Sequence, residues 1–179
     1  IETMYVPMPL ADPGPMLERS IPRHCVRLVM AGHLMGVATW SGLNPLGVGP
    51  ALWLQNLDSG IRWSIDIFGR DGPMLPEATK ALLARPGIAL KGYTPDIHQE
   101  LLKASALLVP TPIPLGTRTR IIEAFSLGVP VIAHVVNKAG LPELIDGQNC
   151  WLYQDKQTFL RAIEQASQAV LDGADYIGV

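Results

Sequence analysis

Arg118, Arg120 and Glu123 follow closely on Gly116 in a stretch whose residue types suit the binding of an anion with a diol attached. The apolar run 106–109 predicts a buried strand, and prolines at 110, 112 and 114 end it by removing backbone donors and fixing φ. A loop then closes on Gly116 and Thr117. From Thr117 onward Ile121, Ala124, Phe125 and Gly128 recur along one helical face, while Arg118 and Glu123 fall off it. A helix opening from such a loop turns unpaired N–H groups and the positive end of its dipole toward whatever lies beyond the strand. An anion is expected there, with Gly116, Thr117, Arg118, Thr119 and Arg120 around it. Glu123 stands roughly 9 Å along the axis from Thr117. A carboxylate only accepts hydrogen bonds, so at that remove it suits the two hydroxyls of a ribose carried by a diphosphate. The same spacing also allows a plain Arg120–Glu123 pair on a solvated face, contributing a few tenths of a kcal/mol. Spacing alone leaves both arrangements open.

The run GTRTRIIEAFSLGVPVIA, residues 116–133, followed by NKAGLPELIDGQNCWL, residues 137–152, resembles the carboxyl-terminal nucleotide-sugar-binding domain of GT-B glycosyltransferases, in particular the large retaining group called family 4. The resemblance implies that Glu123 is the ribose-binding glutamate and that Gly116 through Thr119 supply the backbone around the donor diphosphate. The family's second glutamate falls at Leu115, so the paired-glutamate motif is half present, as in a subset with a G-x-R-x-K/R-I-x-E-A form. After its first strand the family carries an arginine and then a lysine-glycine. Here Gly32 is followed by His33, and Ser41-Gly42 stands where lysine-glycine is expected. Neutralising the diphosphate then falls to Arg118 and Arg120, or to Lys138, unless the donor is bound weakly. Gly32, and His33 in the arginine's place, are candidate donor-binding residues by the resemblance, although a histidine alone in a loop is more often simply polar.

The elements that must position these groups alternate along the chain. The first core strand is read at 26–31 and ends at Gly32; the Gly32–Gly36 segment lacks both the G-x-G-x-x-G pattern and a P-loop lysine, which disfavours a nicotinamide dehydrogenase. A helix is expected over 44–57, a strand over 63–68 leading into a glycine-rich turn at Gly69, a helix over 76–84 and a strand over 88–90. Thr94 and Pro95 suit the N-cap and first turn of a helix running to Ala104. In the family the turn at Gly69 lies near the donor and the backbone after the 88–90 strand reads the nucleobase edge, where Tyr93 could support it or simply pack. A strand over 129–133, a short strand reaching Leu152 and an amphipathic helix over 155–171 complete the series. Strands and helices in alternation predict an α/β, doubly wound, mostly parallel Rossmann-like sheet, which the resemblance implies is one half of a GT-B fold. Ligands bind such sheets beyond the carboxyl ends of the strands, where Gly32, Gly69, Tyr93, Gly116 and Glu123 converge although distant in sequence.

Residues 1–24, rich in proline, are expected to form an extended linker, and 25–179 a single domain. The chain starts at Ile1 and is expected to be a piece of a longer protein whose amino-terminal GT-B domain is missing. With 48% hydrophobic and 17% charged residues it is on the apolar side, which suits a face normally covered by another domain. A net charge of −2 gives no basic footprint for nucleic acid, and no apolar run approaches the roughly 18 residues of a membrane helix. Cys25 and Cys150 lack metal-ligand spacing and read as reduced, buried thiols of a cytoplasmic protein, peripheral to a membrane at most. The expected function is transfer of a sugar, of hexosyl type, from a nucleotide diphosphate sugar to a glycan, lipid or small-molecule acceptor, with retention. No cofactor or metal is expected beyond the donor, and the fragment alone should be inactive. A non-catalytic nucleotide-sugar-binding or scaffolding domain and a GT-B-type sugar-nucleotide epimerase are the alternatives.

Overall fold

The computed structural model describes residues 18–22, 24–33, 36–42, 49–55, 60–70, 77–114 and 118–172. Leu115, Gly116 and Thr117, and most of the expected linker, lie outside the described residues. Six strands form one sheet: β1 Val26–Ala31, β2 Trp63–Phe68, β3 Ile88–Gly92, β4 Ala106–Val109, β5 Val131–His134 and β6 Cys150–Tyr153. Their order is β3-β2-β1-β4-β5-β6, with parallel pairing throughout. This is the doubly wound sheet expected from the alternation of elements. The chain moves outward from β1 to β3, then returns to lay β4 on the other side of β1. That reversal opens a crevice at the carboxyl ends of β1 and β4.

Buried neighbours along β1 serve opposite faces of the sheet. Leu28 joins Ile65, Ile67, Leu54 of helix α2 (Pro50–Gln55) and Phe159 and Ile163 of helix α6 (Lys156–Leu171). Val29 joins Leu107, Val131, Leu101 of helix α4 (Ile97–Leu102) and Ile121 and Ala124 of helix α5 (Thr119–Ser126). Both cores are contiguous with the strands whose ends carry the candidate residues, so the crevice sits on rigid elements.

Several expected boundaries move. Only Pro50–Gln55 of the expected 44–57 helix is seen as helix among the described residues, and a short helix α1, Val37–Gly42, precedes it. The sequence of α1 is too short to show a period. Helix α3 spans Glu77–Leu83, within the expected range. The N-cap of α4 is Asp96 rather than Thr94: the Asp96 carboxylate accepts from the Gln99 N–H at 3.2 Å. Thr94 Oγ1 accepts instead from the Asp96 N–H at 3.3 Å, forming a turn before the helix. Helix α5 starts at Thr119, since Arg118 has the non-helical N-cap backbone, φ −90° and ψ 84°. Gly128 ends it with φ +65°, a conformation open to glycine. β5 starts at Val131, two residues later than expected, and a 3-10 turn over Val135–Ala139 follows it. Of the two cysteines, Cys150 is buried as expected and Cys25 only half-buried.

A charged cluster covers β1 and β2 where α4 lies over them. Arg27 bridges Asp66 and Glu100, both at 2.7 Å, with side chains 14%, 11% and 25% exposed respectively. Burial pushes the Glu100 carboxyl upward, but the hydrogen bond and charge of Arg27 outweigh it and leave the pKa below its ordinary 4.5. His134 lies below its ordinary 6.5 because burial disfavours the imidazolium, a hydrogen bond to the Gln154 backbone opposing this in part. Both folded-state values are depressed, so both groups stabilise the fold above their unfolded values and lose that contribution as pH falls. Urea midpoints are therefore expected to hold steady above about pH 6.5 and to fall below it, with a second decline below about pH 4.5. His134→Gln should remove the first decline and leave the second; a midpoint independent of pH down to 4 would contradict the assignment.

Candidate functional site

The ends of β1, β2 and β3 are laced by backbone bonds that continue past the strands. Gly32 N–H donates to the Phe68 carbonyl at 2.9 Å, and Gly69 N–H donates to the Gly92 carbonyl at 2.8 Å. The loops after β1 and β2 are then so close that a Cβ on Gly69 would run into the Gly32 carbonyl oxygen. Glycine at both places lets three loops leave the sheet side by side and form a floor of bare backbone.

Helix α5 buries Ile121 and Ala124 against β4 and β5, which turns Arg120 and Glu123 toward that floor. The Arg120 guanidinium lies directly against Gly32, its Cζ only 3.1 Å from where a Cβ would stand. Thr39 Oγ1, from the 5% exposed Thr39 of α1, approaches the same point at 2.5 Å. A cavity of about 290 Å³ opens beside them, lined by Gly69, Tyr93, Thr94, Thr119, Arg120 and Glu123 among others. Of the residues singled out in the sequence, Gly69, Tyr93, Thr119, Arg120 and Glu123 thus share one hollow, with Gly32 in contact through Arg120.

Among the described residues that line the hollow, Arg120 is the one cation. Burial pulls its pKa down, the charge of Glu123 pulls it back, and an arginine so placed stays cationic at neutral pH. Among the described residues its guanidinium makes no salt bridge within 4.0 Å, so the plain Arg120–Glu123 pair is not formed. A half-buried cation whose nearest acidic neighbour, Glu123, acts on it only at a distance is costly unless a ligand supplies a closer counter-charge. Arg118 is spent differently: its Nε donates to Asn137 Oδ1 at 3.0 Å and its Nη2 to the Ile113 carbonyl at 3.3 Å. Burial and then the neighbouring charge of Arg120 both lower the Arg118 pKa.

Gly116 and Thr117 lie outside the described residues, and His33, Ser41 and Lys138 do not line this hollow. His33 is exposed, accepts the Gly36 N–H through its carbonyl at 2.8 Å, and does not line the cavity. Ser41 lines a separate hollow of about 470 Å³ with Pro110, Pro112, His134 and Tyr153. The residue of α1 that faces Arg120 is Thr39, which the sequence does not single out because a lone threonine in a short helix carries no pattern. Lys138 is exposed, and its charge acts on Cys150 at the start of β6. Burial holds that thiol up at about 12. Tyr93, 68% exposed, stands at the outer rim with the Arg70 guanidinium 5.4 Å from its ring centre. A larger hollow, about 610 Å³ beside His24, Cys25 and Leu171, lies at the amino ends of the strands. It holds none of these groups, and the convergence of Arg120, Glu123 and the strand-end glycines outweighs its size. Among the described residues no group of His, Cys, Asp or Glu is placed to hold a metal ion, and no helix is long and apolar enough to cross a membrane.

Residues 49–169 match the family described as glycosyl transferases group 1, a span that includes β2 through most of α6. Among solved structures, a glycosyltransferase from Rickettsia africae is similar with a TM-score of 0.68 at 17% identity, over 88% of this chain and 41% of that one. Anabaena HepE in complex with UDP and glucose is similar with a TM-score of 0.64 at 17% identity, over 87% and 41%. The pneumococcal O-GlcNAc transferase GtfA in complex with UDP and GlcNAc is similar with a TM-score of 0.57 at 20% identity, over 85% and 30%. The chain thus spans less than half the length of each. No curated protein matches it. The match over most of its length, on a six-stranded sheet with this strand order, means that the chain belongs to the glycosyl transferases group 1 family and has the fold of the carboxyl-terminal domain of a GT-B glycosyltransferase.

Proposed function

We propose that the chain is the donor-binding half of a glycosyltransferase that moves a sugar from a nucleoside diphosphate sugar to an acceptor, with the anomeric configuration retained. The observation that carries this is the Arg120 guanidinium, without a salt bridge among the described residues and packed on the backbone of Gly32 at the point where the strand order reverses, with Glu123 in the same hollow. A diphosphate over Gly32 would receive the guanidinium hydrogens, Glu123 would accept from the ribose hydroxyls, and the base would run toward Tyr93. The similar Anabaena and pneumococcal proteins carry UDP, which agrees with a nucleotide in this place. In transfer, negative charge grows on the departing diphosphate, and a fixed guanidinium beside it stabilises that charge without reorganisation. Closure by an amino-terminal domain outside this chain would bring the acceptor, whether glycan, lipid or small molecule, and exclude water.

A donor-binding domain without turnover is the second reading, favoured by His33 and Ser41 at the two places where the family resemblance leads one to expect fixed cations. Assay of the full-length protein for sugar transfer separates the two.

Glu123→Ala with a deoxynucleotide control tests the reading at residue level. The substitution is expected to weaken nucleoside diphosphate binding by about 1.5–2 kcal/mol, the lower end for a bond to a charged group because Glu123 is only half-buried. A 2′,3′-dideoxy nucleotide should bind wild type more weakly by a similar amount, and should bind Glu123→Ala no worse than the normal nucleotide does. The contact cannot be lost twice. Additive losses by calorimetry would remove Glu123 from the ribose site.

A further inference from the structure

Asn137 opens the second run of the resemblance but is given no role by it, yet it is 3% exposed and every polar atom of its side chain is in use. Its Oδ1 accepts from Arg118 Nε at 3.0 Å, and its Nδ2 donates to the Thr111 carbonyl at 3.3 Å and to the His134 carbonyl at 2.8 Å. The chemistry of the partners fixes which way the amide faces: a guanidinium only donates and a carbonyl only accepts. One side chain therefore joins the end of β5, the loop after β4 and the N-cap of α5.

The reason such a clasp is needed lies in the loop itself. Pro110, Pro112 and Pro114 have no N–H, so the loop has few backbone donors of its own to offer its carbonyls. Asn137 supplies one to Thr111, and Arg118 supplies another to Ile113 at 3.3 Å. Aspartate in place of Asn137 would keep the acceptor and lose both donors; serine would be too short to reach three segments.

We propose that Asn137 is a positioning residue for the phosphate end of the site: it holds Arg118 at the start of α5 and the proline loop beside it, so that Arg120 already rests on Gly32 before an anion arrives. The proposal rests on the reading of the hollow as a nucleoside diphosphate site. Preorganisation of this kind strengthens binding by reducing the ordering that must accompany it.

Calorimetric titration with UDP, GDP and ADP, and with the matching nucleosides, tests it on wild type, Asn137→Ala, Asn137→Asp, Arg118→Ala and the Arg118→Ala/Asn137→Ala pair. Circular dichroism shows which variants stay folded, and Asn137→Asp and Arg118→Ala carry the test if Asn137→Ala does not. Each single change is expected to weaken the diphosphate about tenfold and the nucleoside by no more than about twofold, and the double change should weaken the diphosphate no further than either single one. Equal losses for nucleoside and diphosphate, additive losses in the pair, or unchanged diphosphate binding would each overturn the positioning role while leaving the site reading in place. No diphosphate binding by wild type would overturn both.

Discussion

Arg120→Ala is expected to weaken binding of nucleoside diphosphates by about 3 kcal/mol, on the order of 100-fold, and to leave nucleoside binding nearly unchanged. The size follows from where the guanidinium sits. It is half-buried against Gly32 with no salt bridge among the described residues, so its interaction with a phosphate is weakly screened and displaces no existing partner. Arg120→Lys should recover part of the loss, as a point charge without the paired N–H fork. Removing a half-buried cation that forms no salt bridge among the described residues should also leave the unliganded fold as stable as before or more so. Calorimetry and urea unfolding on the same preparations read both. Loss of stability together with equal weakening of nucleoside and diphosphate would identify Arg120 as a packing residue.

Arg27→Ala is expected to destabilise the domain by about 3–4 kcal/mol. Arg27 Nε and Nη2 reach Asp66 Oδ2 at 2.8 and 2.7 Å, Nη2 also reaches Glu100, and Nη1 donates to the Glu100 carbonyl at 3.0 Å. Alanine leaves two carboxylates beside each other under α4, with only Lys91, 3.6 Å from Asp66, and Lys103, 3.4 Å from Glu100, to offset them. Both lysines are about half exposed, so solvent screens what they offer. Replacing the carboxylates as well, in Arg27→Met/Asp66→Leu/Glu100→Gln, should restore much of the loss, because the penalty belongs to the stranded charges. A loss under about 1 kcal/mol for Arg27→Ala in urea would show that water reaches the cluster freely.

The fold was legible because its signals are local. Strands β1, β2, β4 and β6 are short apolar or alternating runs closed by glycine, proline or polar residues, and α6 repeats its apolar face over four turns with Asp155 as N-cap. Boundaries drifted where competing caps stood side by side, as Thr94 and Asp96 do before α4. Helix α1 and the 3-10 turn after β5 were not legible, being too short to show a period. At the site, Glu123 stands out because α5 has a clear buried face from which it departs, and Arg120 as one of a basic pair at the helix start. Thr39 and Asn137 do not, since their places depend on which loops the sheet brings together. The separate parts played by Arg118 and Arg120 were likewise hidden: the sequence shows two similar residues, and only the proline loop's need for donors distinguishes them.

The most direct test of a nucleotide site at the strand reversal is calorimetric titration of the chain with UDP, GDP and ADP, followed by amide chemical shifts. Dissociation constants of about 0.1–1 mM are expected for at least one of them, roughly 4–5.5 kcal/mol, because half a cleft buries half a ligand. The shifts should concentrate at Gly32, Gly69, Tyr93 and the first turn of α5. No heat and no shift with any of the three at millimolar concentration, or shifts confined to the hollow beside His24 and Leu171, would contradict the account.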